Sequence, residues 1–129
     1  MTMRLQWEKF KDYSAVRDDE MTSSPGVYAL CNRRGVPLYI GQSVGKDGLR
    51  GRYNAGGLID AALKGSGKCI FFAIVDLERC QEVEAKLIWE NRATVINKIR
   101  LRFPLVGGKD FRIIHGGEAP RFARPSLGP

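Results

Sequence analysis

The chain has 129 residues, 43% of them apolar, a formal net charge of +7 and a pI near 9.6. That length suits one ordinary domain with a real core; no stretch approaches the ~20 apolar residues that cross a bilayer, and the opening MTMRLQWEKFKDY lacks the apolar core of a signal peptide. The sequence therefore reads as a soluble, cytoplasmic protein with no membrane partner, and its basic excess points toward a polyanion.

Residues 1–24 read as a lead-in, with four basic and five acidic side chains. The run LQWEKFKDY suggests a helical turn or two, and Pro25-Gly26 then punctuates the chain. GVYALC (26–31) reads as a strand with Val27, Ala29 and Cys31 on one face and Tyr28 and Leu30 on the other. NRRGV (32–36) is a turn, and PLYIG (37–41) is the return strand of a β-hairpin. QSVGKDG (42–48) is a loop without the spacing of a phosphate-binding P-loop. LRGRYNAGGLIDAALKGSGK (49–68) reads as a helical region broken at Gly56-Gly57, since each glycine costs about 1 kcal/mol in a helix interior.

CIFFAIV (69–75) is a strongly apolar strand, with Asp76 placed to cap a helix after it. ERCQEVEAKLIWENRATVINKIR (78–100) carries the longest helical pattern, with Cys80, Val83, Leu87, Val95 and Ile99 as its apolar stripe. FRIIH (111–115) suggests a short extra strand, and the proline-rich EAPRFARPSLGP opposes regular structure. The expected organisation is a lead-in (1–24), one domain (25–100) and a basic C-terminal extension (101–129). The expected fold is α+β: a small three-stranded antiparallel sheet flanked by helices.

Cys31, Cys69 and Cys80 form no CxxC pair, and His115 is the sole histidine. A thiolate or histidine zinc site is poorly supported, and Cys31 and Cys69 are expected as buried free thiols. The remaining polar residues could supply two phenols, a guanidinium, a carboxylate and an amide. Tyr28 and Tyr39 can share one hairpin face, Arg52 comes after a loop and a helical turn, Glu84 stands on the long helix, and Asn97 lies near its end. Arg50 points well round the helix from Arg52 and reads as a nucleic-acid backbone contact or as solvated, and Lys46, in a flexible turn, is a further candidate contact. Glu82 and Glu90 are rivals to Glu84, and Asn91, seven residues after Glu84, is an alternative to Asn97.

GVY at 26–28 and YIG at 39–41 resemble the two halves of the GIY-YIG nuclease signature. Leu49-Arg50-Gly51-Arg52 resembles that family's L-x-x-R, Glu84-Ala85-Lys86-Leu87-Ile88 its E-x-x-L-I, and Asn97 its late asparagine. The resemblance spans roughly residues 24–98. It departs from the pattern in the missing proline before Asn97 and in Tyr53-Asn54, which stand where a basic or histidine side chain often comes after the arginine. It implies DNA phosphodiester hydrolysis with Mg²⁺ or Mn²⁺ held by Glu84, phosphate pairing by Arg52, Tyr28 orienting or deprotonating the attacking water, and Tyr39 positioning water or phosphate. A non-catalytic nucleic-acid-binding module on the same scaffold is the alternative, and a protein-interaction domain with a basic face is the third reading. Oligomeric state and DNA preference are open, and Arg112, Arg121 and Arg124 offer further phosphate contacts.

Overall fold

The computed structural model describes residues 2–11, 13–45, 69–95 and 111–123. Its elements in chain order are β1 (Thr2–Phe10), α1 (Tyr13–Asp18), a 3₁₀ turn (Glu20–Ser23), β2 (Gly26–Cys31), β3 (Pro37–Ser43), β4 (Cys69–Ile74), a second 3₁₀ turn (Leu77–Arg79), α2 (Cys80–Glu90) and β5 (Arg112–Gly117). The strands form one sheet in the order β3-β2-β4-β1-β5. All neighbours are antiparallel except β1 and β5, which run parallel from Thr2↔Arg112 to Trp7↔Gly117.

This corrects the expected three-stranded antiparallel sheet: the sheet is five-stranded and mixed. The additional strands come from the two ends of the chain. At the N-terminus the helical turn expected in LQWEKFKDY is a strand. Met3, Leu5 and Trp7 alternate with Arg4, Gln6 and Glu8, which is the period of two that a strand requires. Leu5 and Trp7 are accordingly buried while Arg4, Gln6 and Glu8 are exposed. At the other end, the short strand suggested by FRIIH runs over Arg112–Gly117. It pairs with β1, so the first and last described strands close one side of the sheet together.

Strand alternation divides the core into two layers. One face carries Leu5, Trp7, Val27, Ala29, Cys31, Ile40, Cys69, Phe71, Ala73 and Ile113, covered by Cys80, Val83, Leu87 and Ile88 of α2. The other carries Phe10, Tyr28, Leu30, Ile70 and Phe72, packed with Val16 of α1. Burying each such side chain contributes about 1.5–3 kcal/mol before conformational entropy is subtracted. The hairpin turn is fixed by Asn32, whose side chain accepts hydrogen bonds from the Arg34 and Val36 amides at 2.9 and 3.0 Å.

The long helix expected over 78–100 ends at Glu90. The Asn91 side chain donates to the Leu87 carbonyl at 2.8 Å. The Thr94 and Val95 amides bond the Asn91 carbonyl, so the chain turns there. Val95 is still buried, now beyond the turn rather than on a continuing helical stripe. The expected side-chain cap from Asp76 is absent as well: its carbonyl, and not its carboxylate, receives the Arg79 amide at 2.8 Å. The helical region expected over 49–68, and Ile99, lie outside the described residues.

Residues 118–123 have no regular structure, as expected of a proline-rich run, yet they are tied down at three places. The Glu118 amide donates to the Trp7 carbonyl, the Arg121 amide to the Gly35 carbonyl and the Ala123 amide to the Asn91 side chain, at 3.0, 2.8 and 2.7 Å. This strap links β1, the hairpin turn and the end of α2.

Candidate active site

The hairpin brings the two signature tyrosines together. Tyr28 sits in the middle of β2, opposite Gly41 of β3 and Phe72 of β4. Tyr39 lies two residues before Gly41 and therefore on the same face. The two rings stack with centroids 6.3 Å apart and planes inclined by 27°. The signature glycines make this arrangement possible. A Cβ on Gly41 would run into the Cζ and Oη of Tyr28, so the phenol lies directly over that backbone. A Cβ on Gly26 would strike the Ala73 carbonyl oxygen and the ring of Phe72. Both glycines thus admit an aromatic ring against bare backbone.

The environments of the two phenols differ. Tyr28 is only 2% exposed and belongs to the α1-side core layer. Tyr39 is half-buried and packs at the margin of that layer. Ser43 continues the same face two residues beyond Gly41. Its hydroxyl is fully buried and has no hydrogen-bond partner among the described residues. Sequence reasoning passed over Ser43, and its one available signal was the alternation that puts 39, 41 and 43 in a row.

Glu84 stands on α2 and is 8% exposed. The packed stripe of α2 covers the sheet face bearing Val27, Ala29 and Ile40. The helix carrying Glu84 therefore lies across the sheet from the layer that holds the tyrosine rings. Of the rivals, Glu90 is paired with Lys86 at 3.4 Å, both side chains being 7% exposed. The Lys86 ammonium also lies 5.5 Å from the centre of the Phe111 ring. Asn91 is 1% exposed, with its amide group on the Leu87 carbonyl and its oxygen on the Ala123 amide. It clamps the strap to the helix and is engaged at both ends. Asn97, Arg50, Arg52 and Lys46 lie outside the described residues, as does Arg124. Arg112 and Arg121 are exposed.

No group of three or more His, Cys, Asp or Glu side chains able to hold a metal ion occurs among the described residues. A closed zinc-type cage is therefore not formed there. The single expected ligand, the Glu84 carboxylate, is an oxygen donor of the kind taken by a hard cation that keeps most of its waters, as Mg²⁺ does.

Neither a family model, nor a curated protein, nor a solved structure matches the chain. Among the described residues, no helix is long and apolar enough to cross a membrane.

The sole histidine belongs to a different cluster. His115 Nδ1 accepts a hydrogen bond from Trp7 Nε1 at 2.9 Å, and the imidazole stacks on Phe122 with centroids 4.3 Å apart. Phe122 in turn packs against Trp7. Burial lowers the His115 pKa from 6.5 to about 4, so the ring is neutral at pH 7. With Nδ1 occupied, His115 is a packing and hydrogen-bonding residue. The partners are 108 positions apart, which no local pattern reveals.

Proposed function

We propose that the protein is a divalent-metal-dependent endonuclease of the GIY-YIG type that hydrolyses DNA phosphodiester bonds. The observation that carries this reading is the tyrosine pair itself, two phenols stacked on one hairpin face with one ring seated on the glycine of YIG. The net charge of +7 supplies a general attraction for a polyanion. In this reading Tyr39, the more accessible phenol, orients water or a phosphate oxygen by hydrogen bonding. Arg52 pairs with phosphate oxygens through its planar guanidinium. Mg²⁺ or Mn²⁺ at Glu84 supplies charge neutralisation on the phosphate and an acidified water. Tyr28 holds the Tyr39 ring by stacking, and its own hydroxyl lies against the Gly41 backbone.

The near-complete burial of Tyr28, and the packing of α2 on the opposite sheet face, favour a second reading. In that reading the hairpin is a structural platform, and the chain binds nucleic acid without cutting it. Supercoiled plasmid incubated with Mg²⁺, Mn²⁺ or EDTA separates the two. The endonuclease reading expects metal-dependent nicks that fall about 10²–10³-fold when the charge-stabilising Arg52 is replaced by alanine, and that are lost in Glu84→Gln. Salt-sensitive binding with no cleavage by the wild type in either metal would refute it and leave the binding module.

A further inference from the structure

We propose that Cys31 and Cys69 are a modification site: a cross-strand dithiol that a hydroperoxide converts into a reversible disulfide between β2 and β4. The two residues are direct register partners, the last residue of β2 facing the first of β4. Both are free thiols on the same sheet face and in the same core layer. Opposed residues in an antiparallel pair have Cα atoms about 4.5 or 5.5 Å apart, and a disulfide spans about 4.4–6.8 Å. Either pairing class therefore falls within the Cα separation that a disulfide spans. The third thiol, Cys80, opens α2 and has its Sγ 3.5 Å from the Val75 and Asp76 carbonyls. No register contact links it to the other two.

The position of the pair makes it reachable. Both cysteines sit at strand ends, so exposing them requires a terminal rung to fray rather than the sheet to open. Cys69 is 7% exposed, and its Sγ lies 4.0 Å from the Asn32 carbonyl at the hairpin turn. Burial raises both thiol pKa values above the ordinary 9.0, opposed in part by the nearby Lys9 ammonium. The resting pair is thus protonated and stays reduced toward weak oxidants.

Oxidation proceeds in two balanced steps. When the terminal rung frays, Cys69 gives up its proton, and its thiolate attacks the O–O bond to form a sulfenic acid; the expelled alkoxide takes that proton and leaves as an alcohol, or as water when the oxidant is hydrogen peroxide. Cys31 sulfur then attacks the Cys69 sulfur and expels hydroxide, which leaves as water with the Cys31 proton. Two thiols lose two electrons, and the hydroperoxide gains them. The bond ties together the two ends of the segment 32–68, which contains Tyr39, Lys46, Arg50 and Arg52. The inference stands apart from the endonuclease reading, because nothing in it depends on DNA cleavage.

The test uses the full chain treated with hydrogen peroxide, blocked with N-ethylmaleimide and mapped by mass spectrometry without reductant. The expected product is a Cys31–Cys69 linked peptide, lighter by two hydrogen atoms and released by dithiothreitol, with Cys80 alkylated. The oxidised protein should melt higher than the reduced form, and the gain should vanish with dithiothreitol. Cys80→Ser should form the same link, and Cys69→Ala should not. Irreversible oxidation of Cys69 without the link, a link that includes Cys80, or three alkylated thiols after peroxide treatment would each overturn the proposal. Mapping the wild type decides the matter even if a variant fails to fold.

Discussion

The Trp7–His115 contact predicts a specific acid sensitivity. Trp7 is 1% exposed, and its indole N–H is satisfied by a neutral imidazole. Protonating His115 turns Nδ1 into a donor, so the bond is lost and a charge appears beside Trp7 and Phe122. The folded pKa is depressed to about 4 from 6.5. The unfolded chain therefore binds the proton first, and stability falls as pH drops from 6.5 toward 4. At ~1.36 kcal/mol per pH unit, that interval sets a ceiling of about 3.4 kcal/mol. The ring is only partly buried, and solvent screening brings the expected loss to about 2 kcal/mol. For a chain of this size that is a fall in Tm of about 6–8 °C. Carboxylates also titrate in the lower part of this window, so the quantity to measure is the difference between wild type and His115→Asn. The asparagine oxygen can replace Nδ1 as acceptor and does not titrate. Thermal unfolding at closely spaced pH values from 7.5 to 4 is the assay. Wild type should lose stability relative to the variant across that interval. Parallel curves for the two proteins would refute the reasoning.

Other substitutions test the packing of the site. Gly41→Ala places a methyl group in the space of the Tyr28 ring and should cost about 1–3 kcal/mol in urea unfolding, with a change in tyrosine environment visible in near-UV circular dichroism. Ser43→Ala removes a buried hydroxyl that has no partner among the described residues; it should leave stability unchanged or raise it by up to about 1 kcal/mol, whereas a structural hydroxyl would show a loss. Asn91→Leu deletes the bonds to Leu87 and Ala123 and should cost about 1–3 kcal/mol, while limited proteolysis should cut sooner within 118–123. Glu90→Leu removes the carboxylate that pairs with the Lys86 ammonium at 3.4 Å and should destabilise more than Lys86→Met combined with Glu90→Leu in urea unfolding.

The hairpin was legible because its signals are local. Gly26, Pro37 and the Asn32 turn bound two short runs rich in apolar and β-forming residues, and the faces assigned to Val27, Tyr28, Ala29 and Leu30 are those they occupy. The apolar run at 69–74 was equally plain, but its neighbour was not. Pairing with β2 on one side and β1 on the other is a long-range outcome that no spacing encodes. The N-terminal strand was missed although its alternation was present. The charged residues of MRLQWEKFK resemble an exposed helix face, and only tertiary packing, in one core layer with Phe122 against Trp7, gives Leu5 and Trp7 a reason to face one way. The end of α2 at Glu90 was hidden for a related reason. Asn91 stops the helix by bonding a strap 32 residues further on, so the apolar stripe continues in the sequence after the helix has ended.

The site is where local pattern and packing pull apart. Motif spacing treats Tyr28, Tyr39 and Glu84 as one constellation, because in sequence each stands where a chemical group is needed. The sheet adds a constraint that spacing omits: residues of opposite parity on one strand face opposite layers. Val27 and Ala29 receive α2, so Tyr28 between them must face the α1 layer. Any carboxylate on α2 that serves the tyrosines must therefore act past the β3 edge rather than through the sheet. In the endonuclease reading that requirement weights the site toward Tyr39 and Ser43 over Tyr28, since β3 is the strand at that edge of the described sheet. It also orders the variants. If the chain cleaves DNA, Tyr39→Phe should lower the rate more than Tyr28→Phe, whose hydroxyl is buried against Gly41. The reverse order would mean that the α1 layer opens to substrate, and that the burial of Tyr28 describes only the resting state.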